Sequence, residues 1–397
     1  MIPREACQQI KMKKDRQGLT ISTAPPHYLA DCNRKKERSS NLELYRIVVM
    51  LFIVMHHYVV NSGLTDVMEQ NPTSVGSIYL YLIGVWGKTC INCFVLITGY
   101  FMCQSRITLH KFLKLLLQIE FYSIVIGLTF MASGYSQFSV RSLIDITNPI
   151  HAVGKNFTGC FLLFYLFIPF LNACINHLSK CQHLWLLMLC VFMYTILGSI
   201  PVIYVEFNYV TWFSVLYVIA SYIRKWHIPF DSSFRFWTLA TTLALFISVM
   251  SVALMLYRTN LSDRPTSFSY VAFFLQDSNK LMALIVSVCS FMMFKNMKLK
   301  QSRFVNAVAA CTFGVLLIHA ASDDMRKWLW QDVCNNVGVY QENSIYLHAL
   351  LIPFAVFCVC AMIDYIRQKT IEQPLLDGVE RLINKVARKY LVTCNYK

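Results

Sequence analysis

From residue 42 onward the chain alternates between long apolar runs and short polar breaks. Ten apolar segments cover residues 42–61, 78–101, 111–132, 157–178, 182–203, 209–223, 236–257, 278–294, 304–321 and 345–366. Several approach or reach the roughly 20 apolar residues that a helix needs to cross a bilayer core. The pattern predicts an all-α fold, a polytopic transmembrane helical bundle of about ten helices with the lipid bilayer as its solvent. Segments six and eight are the shortest.

The flanks read differently. Residues 1–40 hold KMKKDR and NRKKER around a Ser/Thr/Pro-rich stretch with no apolar periodicity, and are expected to be a disordered basic tail. The run behind this tail carries Arg46 and two histidines and lacks a small-residue cleavage site, so the first helix is expected to stay in the mature protein. Residues 371–397 place Leu375, Val379, Leu382, Ile383 and Val386 at helical spacing among lysines and arginines, the pattern of an amphipathic helix on a membrane surface. The transmembrane domain is then 41–370.

Composition supports this division. The chain is 56% hydrophobic and 14% charged, well below the roughly 25% charged residues of soluble domains. Its net charge of +15 would suit nucleic acid, but the basic residues favour one set of alternate loops, and both basic termini lie on that side. By the positive-inside rule that side is the cytoplasm, so the chain is expected to be multi-pass with both termini cytoplasmic, its basic residues explained by topology rather than by a nucleic-acid partner; the plasma membrane is the expected location. Most of the fifteen cysteines fall inside apolar segments, where cysteine packs as a small residue; the Cys90-x-x-Cys93 spacing has no second pair to complete a metal site.

The candidate chemistry starts on the first helix, NLELYRIVVMLFIVMHHYVVNSG, residues 41–63, which Asn41 can cap and Gly63 can end. At about 100° per residue, Arg46 and His57 lie on one face, about 16 Å apart along the axis. Glu43 and Asn61 flank that stripe, which runs through Met50 and Val54, while His56 points off it. A permanently charged guanidinium at the inner mouth suits phosphate, and an imidazole deeper in the membrane suits proton or acyl transfer. His319 closes the ninth segment at a similar depth to His57. Lys88 and Glu120 both fall near the midplane and are expected to pair, because each alone is costly there. Gln118 and Asn92 are further intramembrane polar groups. Arg106, Lys111 and Lys114, with Arg46, form a basic set at the cytoplasmic mouth for a polyphosphate ligand. No GxGxxG, Walker A or nucleophile-elbow motif occurs.

Four stretches resemble acyltransferase family 3. NLELYRIVVMLFIVMHHYV is similar to that family's opening helix, with a Leu-Glu-x-x-Arg entry and an arginine eleven residues before a histidine. INCFVLITGYFM resembles the second-helix signature, here ending in Thr98, Gly99 and Tyr100. FLLFYLFIPFLN resembles a Tyr-Leu-x-x-Pro-Phe-Leu-Asn segment, and TFGVLLIHAASDDMRKWLW a late helix ending in Ile-His. The chain departs from the family after the second helix, where many relatives carry Arg-x-x-Arg and this sequence reads QSRITLHKFLKL, and at Asn92, where many carry Asp.

The resemblance implies a membrane enzyme that moves an acyl group, usually acetyl from cytoplasmic acetyl-CoA, onto a hydroxyl of a cell-surface or lipid-linked carbohydrate. Acetyl-CoA would be a co-substrate, with no tightly bound cofactor and no metal. The family's essential histidine maps to His57 and its arginine to Arg46, the face that the helical geometry selects. His319 and Glu43 join the catalytic set; Arg46, Arg106, Lys111 and Lys114 are the donor-binding set; Asn61 and Asn92 are candidates for stabilising an oxyanion. The outer loops 133–156, 258–277 and 322–344 are too short for an appended domain. The rival reading is an exporter of a glycan or small molecule, in which the same polar stripe lines a translocation path.

Overall fold

The computed structural model describes residues 39–105, 107–148, 157–206, 208–262 and 266–394, with the side chains of 262, 384 and 386–394 excepted. Among these residues the protein is all helical, without strands. Residues 1–38 of the proposed 1–40 tail and Arg106 lie outside the described residues, and Ser40 already opens the first helix. From Ser40 onward the chain forms one compact unit.

Helix α1 (Ser40–Val60) is the axis of the bundle. Around it stand the joined pair α3 (Val75–Gly84) and α4 (Gly87–Met102), then α12 (Leu281–Asn296), α13 (Arg303–His319) and α15 (Ile345–Thr370). The short α2 (Leu64–Gln70) follows a turn in which Gly63 adopts φ of +81°, the left-handed region that glycine tolerates. A second layer holds α5 (Leu109–Ala132), α7 (Phe157–His177), α8 (Lys180–Cys190, continued to Ser199), α9 (Tyr209–Lys225) and α10 (Phe234–Ser262). Burial separates the layers. The α3–α4 span is 78% buried inside the protein and the Lys180–Ser199 span 17%. The outer helices expose rows such as Leu239, Leu243, Phe246, Met250 and Leu254 on α10, an apolar surface that only lipid covers without cost.

All ten predicted segments are helical. Among the described residues seven helices are long and apolar enough to cross a membrane, and an eighth if α13 and the bent segment after it count as one span. Helices α9 and α12 have 17 and 16 residues, about 24–26 Å of rise, short of a hydrocarbon core about 30 Å thick. Both are wedged among other helices, α9 against α4, α7 and α8, and α12 against α1, α4 and α10, so protein rather than lipid surrounds much of their length.

Small residues and amide side chains explain the close packing. A Cβ at Gly99 would stand 2.9 Å from the Ala220 Cβ, so α4 and α9 meet through that glycine. Asn172 donates to the Met102 and Ser105 carbonyls at 3.2 and 3.4 Å and accepts from the Tyr217 hydroxyl at 2.6 Å. It thereby ties α7 to α9 and to the end of α4. The Arg224 guanidinium donates to the Tyr100 hydroxyl at 2.7 Å. The Thr-Gly-Tyr and Pro-Phe-Leu-Asn motifs therefore brace the scaffold.

The Asn41 cap and the three outer loops need correction. Asn41 lies in the first turn of α1 and does not cap it; its amide donates to the Phe294 and Lys295 carbonyls at 2.9 Å each, satisfying the end of α12. The stretch 133–156 is not only a loop, because α6 (Val140–Thr147), with Ser139 at its N-cap, folds back so that the Ser123 hydroxyl donates to the Ile146 carbonyl at 2.8 Å. Residues 322–344 also contain structure, α14 (Asp323–Lys327) and a π-helical turn Trp328–Val333. The four-residue α11 (Phe268–Val271) interrupts the loop between α10 and α12.

The C-terminal stretch is a helix, α16 (Glu372–Cys394), docked on α5 and α15 through the buried Leu376. Glu372 pairs with Lys114 at 2.5 Å and with Arg367 at 3.1 Å, and His110 Nδ1 lies 2.7 Å from Glu380. Behind this contact, the fully buried Asp364 accepts from Gln118, Tyr122, Arg367 and Gln368. Gly314 of α13 faces this carboxylate so closely that a Cβ there would overlap it. With four donors holding Asp364, the carboxylate has no room to yield. Gly314→Ala should therefore lower the melting temperature of the detergent-purified protein, by an overpacking cost of about 1–3 kcal/mol. An unchanged melting temperature would mean that the α13–α15 contact is looser than described.

Candidate active site

The helical repeat of α1 sends its two histidines to different neighbours. His56 turns to the joint between α3 and α4, where its Nδ1–H donates to the Gly84 carbonyl at 2.5 Å and its ring fills the space that a side chain at Gly87 would need. Breaking the helix at 85–86 frees that carbonyl, and His56 satisfies it. His56 thus has a packing role.

His57 faces α13. Its Nδ1 lies 2.9 Å from His319 Nε2, with ring centroids 5.0 Å apart. His319 is fully buried, and its Nδ1 lies 2.6 Å from the Val315 carbonyl one turn earlier in α13. A carbonyl can only accept, so for neutral rings this contact assigns the His319 proton to Nδ1 and makes Nε2 an acceptor. His57 must then donate from Nδ1. Its Nε2 is left unprotonated, with its lone pair available, and His57 is only partly buried.

Arg46 lies on the same side of α1. Its guanidinium pairs with Glu43 at 3.1 Å and stands 6.0 Å from the centre of the Phe94 ring on α4. Phe94 in turn stacks on Phe313 of α13, 6.3 Å between centroids, six residues before His319. Phe157 and Phe161 of α7 extend this aromatic group. Met50 and Val54, between Arg46 and His57, are fully buried. The polar stripe thus faces protein along its length, and α13 borders it at both ends.

The remaining candidates separate into two groups. Asn61, one turn beyond His57, has a buried amide Nδ2 without a hydrogen-bond partner among the described residues. Asn92 is fully buried and engaged: its Nδ2 donates to the Ser278 carbonyl at 2.6 Å, and its Oδ1 accepts from the Trp212 indole at 2.8 Å. Lys114 is paired with Glu372 at the α16 contact, and Lys111 is exposed in the first turn of α5. The structure therefore brings together Glu43 with Arg46 and His57 with His319, leaves Asn61 one helical turn beyond His57, and ties Lys114 to the C-terminal helix.

The expected Lys88–Glu120 pair does not form. Lys88 donates to the Tyr209 hydroxyl at 2.7 Å, and Glu120 Oε1 is buried without a hydrogen-bond partner among the described residues. The reason is topological. Helix α4 packs on α1, α9 and α12, whereas α5 packs on α6, α7, α13 and α16, so consecutive segments of similar depth stand apart.

The sequence reading also passed over Tyr58, His348 and Trp330. The Tyr58 hydroxyl lies 2.7 Å from His348 Nδ1, joining α1 to α15. His348, an ionisable group early in the tenth apolar run, carried the signal that could have revealed this contact. Trp330 lay in a stretch read as loop.

A scan against protein-family models matches residues 39–364 to the model described as an acyltransferase domain. Neither the curated proteins nor the solved structures compared with the chain gave a match.

Asn92 offers a direct check on this division of roles. Asn92→Ala would leave the Trp212 indole and the Ser278 carbonyl unpaired, at about 1–3 kcal/mol for each buried group. The expected result is a lower melting temperature with full specific activity in the folded fraction. Lost activity at unchanged stability would instead place Asn92 at the reacting atoms.

Proposed function

The chain belongs to acyltransferase family 3 and is a multi-pass membrane acyltransferase; on that footing we propose that it transfers acetyl from cytoplasmic acetyl-CoA to a hydroxyl of a cell-surface or lipid-linked carbohydrate. The observation that carries this reading is the bare Nε2 of His57, fixed by the relay from His57 to His319 to the Val315 carbonyl. This reading includes a plasma-membrane location and two cytoplasmic termini, the orientation being supported by the bias of the basic loops.

In the reaction, the acceptor hydroxyl gives its proton to His57 Nε2 as its oxygen attacks the thioester carbonyl carbon. The new C–O bond forms while the carbonyl π pair moves onto oxygen, where the Asn61 amide is the available donor. Collapse breaks the C–S bond, and the CoA thiolate leaves with the proton from His57. An acyl-imidazole route would use the same nitrogen, first as nucleophile and then as leaving group. His319 is a positioning residue: it holds the tautomer of His57 and does not touch substrate. Arg46, with Glu43 orienting it, binds the CoA phosphates at the inner mouth. Arg106 and Lys111 fit the same role by their place in the sequence.

The test begins with membranes containing the protein, which should release free thiol from acetyl-CoA only when a cell-surface polysaccharide fraction is supplied. His57→Ala should insert normally and lose about a hundred- to ten-thousandfold in turnover. Full transfer by His57→Ala would remove the assignment. For the donor site, Arg46→Ala should raise KM for acetyl-CoA about tenfold, the loss of one charge-assisted contact, with little change for S-acetylpantetheine, which lacks the nucleotide phosphates. Equal losses with both donors would show that Arg46 does not read phosphate. A protein that moves the glycan across the membrane without releasing thiol would be an exporter.

A further inference from the structure

Beyond α13 the chain bends by 98°. It runs through α14 and the π-helical turn at 328–333, a geometry that is uncommon and often found at functional sites. The bend carries Trp330 back into the bundle. Its ring is fully buried, edge-to-face with Tyr58 at 5.8 Å between centroids and with His319 at 6.4 Å, both at 79° between planes. The return is fixed by Asn336, whose Nδ2 donates to the Tyr58 carbonyl at 3.0 Å. Trp330 thus packs against His319 and against Tyr58, the residue that follows His57.

The indole N–H of Trp330 is buried and has no hydrogen-bond partner among the described residues. Buried tryptophan normally finds an acceptor for that hydrogen, because leaving it unmet is costly. The other wholly buried indole described above obeys the rule, since Trp212 donates to Asn92. The Asn61 amide, one turn beyond His57 on α1, is buried and partnerless in the same way. Two buried donors without acceptors among the described residues therefore lie near the pair of imidazoles in the fold, Asn61 one turn beyond His57 on α1 and Trp330 against the His319 ring.

We infer that the Trp330 indole N–H is a second donor, beside Asn61, to the carbonyl oxygen of the acyl group in transit. This rests on the acyl-transfer reading given above. A tetrahedral intermediate places a full negative charge on that oxygen, and preorganised donors in a water-poor site stabilise it strongly. An indole suits the task, because it donates only and cannot compete with His57 for the acceptor's proton. The bent segment then contributes directly to the reaction.

The test uses the unreactive methyl-ketone analogue S-acetonyl-CoA, carrying 13C at the carbonyl, bound to the full-length protein in nanodiscs. Isotope-edited infrared difference spectra read the strength of hydrogen bonding to that carbonyl. In the parent its stretch should lie below its value in water, and Trp330→Phe, which keeps a ring and deletes the N–H, should move it upward. The same variant should lower turnover about a hundredfold, with KM for acetyl-CoA unchanged. If Trp330→Phe does not fold, benzothienyl-alanine at 330 replaces the N–H with sulfur at nearly constant shape. An unmoved carbonyl band in a variant that still binds the probe overturns the inference. A parent protein that does not bind the probe overturns the acyl-CoA reading beneath it, so the two failures are distinguishable.

Discussion

Two imidazoles 2.9 Å apart, one of them anchored to a backbone carbonyl of its own helix, set the chemistry of this protein. Two neutral rings can share one hydrogen bond in either direction. The Val315 carbonyl removes that freedom, because it accepts only, and so fixes the proton on each ring in turn. A main-chain atom within α13 thereby determines which nitrogen of His57 can act as base or nucleophile. The expense of burying two ionisable groups in an apolar bundle is offset by pairing them with each other and with the backbone.

The scaffold exists to keep α1 and α13 in that register. Helix α1 is enclosed by α3, α4, α12, α13 and α15, and glycines at 84 and 87 let it approach the α3–α4 joint closely enough for His56 to be satisfied there. Helix α13 is held from behind by the Asp364 network, which reaches through Arg367 and Glu372 to the C-terminal helix. The charged groups nearest α16 are thus engaged in assembly, while Arg46 and Glu43 stay on the stripe that leads from the inner mouth toward His57. The aromatic group of Phe94, Phe161 and Phe313 lies between the helices that frame this stripe and gives it an apolar wall.

Much of this was legible in the residues alone, because it follows from periodicity. Eleven residues bring an α-helix back to nearly the same face, so the relation of Arg46 to His57 needs no knowledge of neighbours. The depth of His319 followed from its place at the end of the ninth segment. What periodicity cannot give is which helices touch. Lys88 and Glu120 share a depth on consecutive segments, yet α4 and α5 are not neighbours, and Tyr209 took the ammonium instead. Asn41 looked like a cap for its own helix and serves the end of α12, because the cap signal does not say whose carbonyls or amides are closest. Trp330 was hidden for a third reason. A sharp bend after a histidine leaves little hydropathy signal, so a segment that returns to the core reads as a loop.

The most direct measurement of the central claim is 15N magic-angle-spinning NMR of the histidine-labelled protein in lipid, with His57 and His319 assigned by single substitutions. Both rings should be neutral and protonated on Nδ1, with the Nε2 shift of His319 displaced by an accepted hydrogen bond and that of His57 typical of a bare nitrogen. A His57 protonated on Nε2 would contradict the account, since the nitrogen assigned to proton or acyl transfer would then already be occupied.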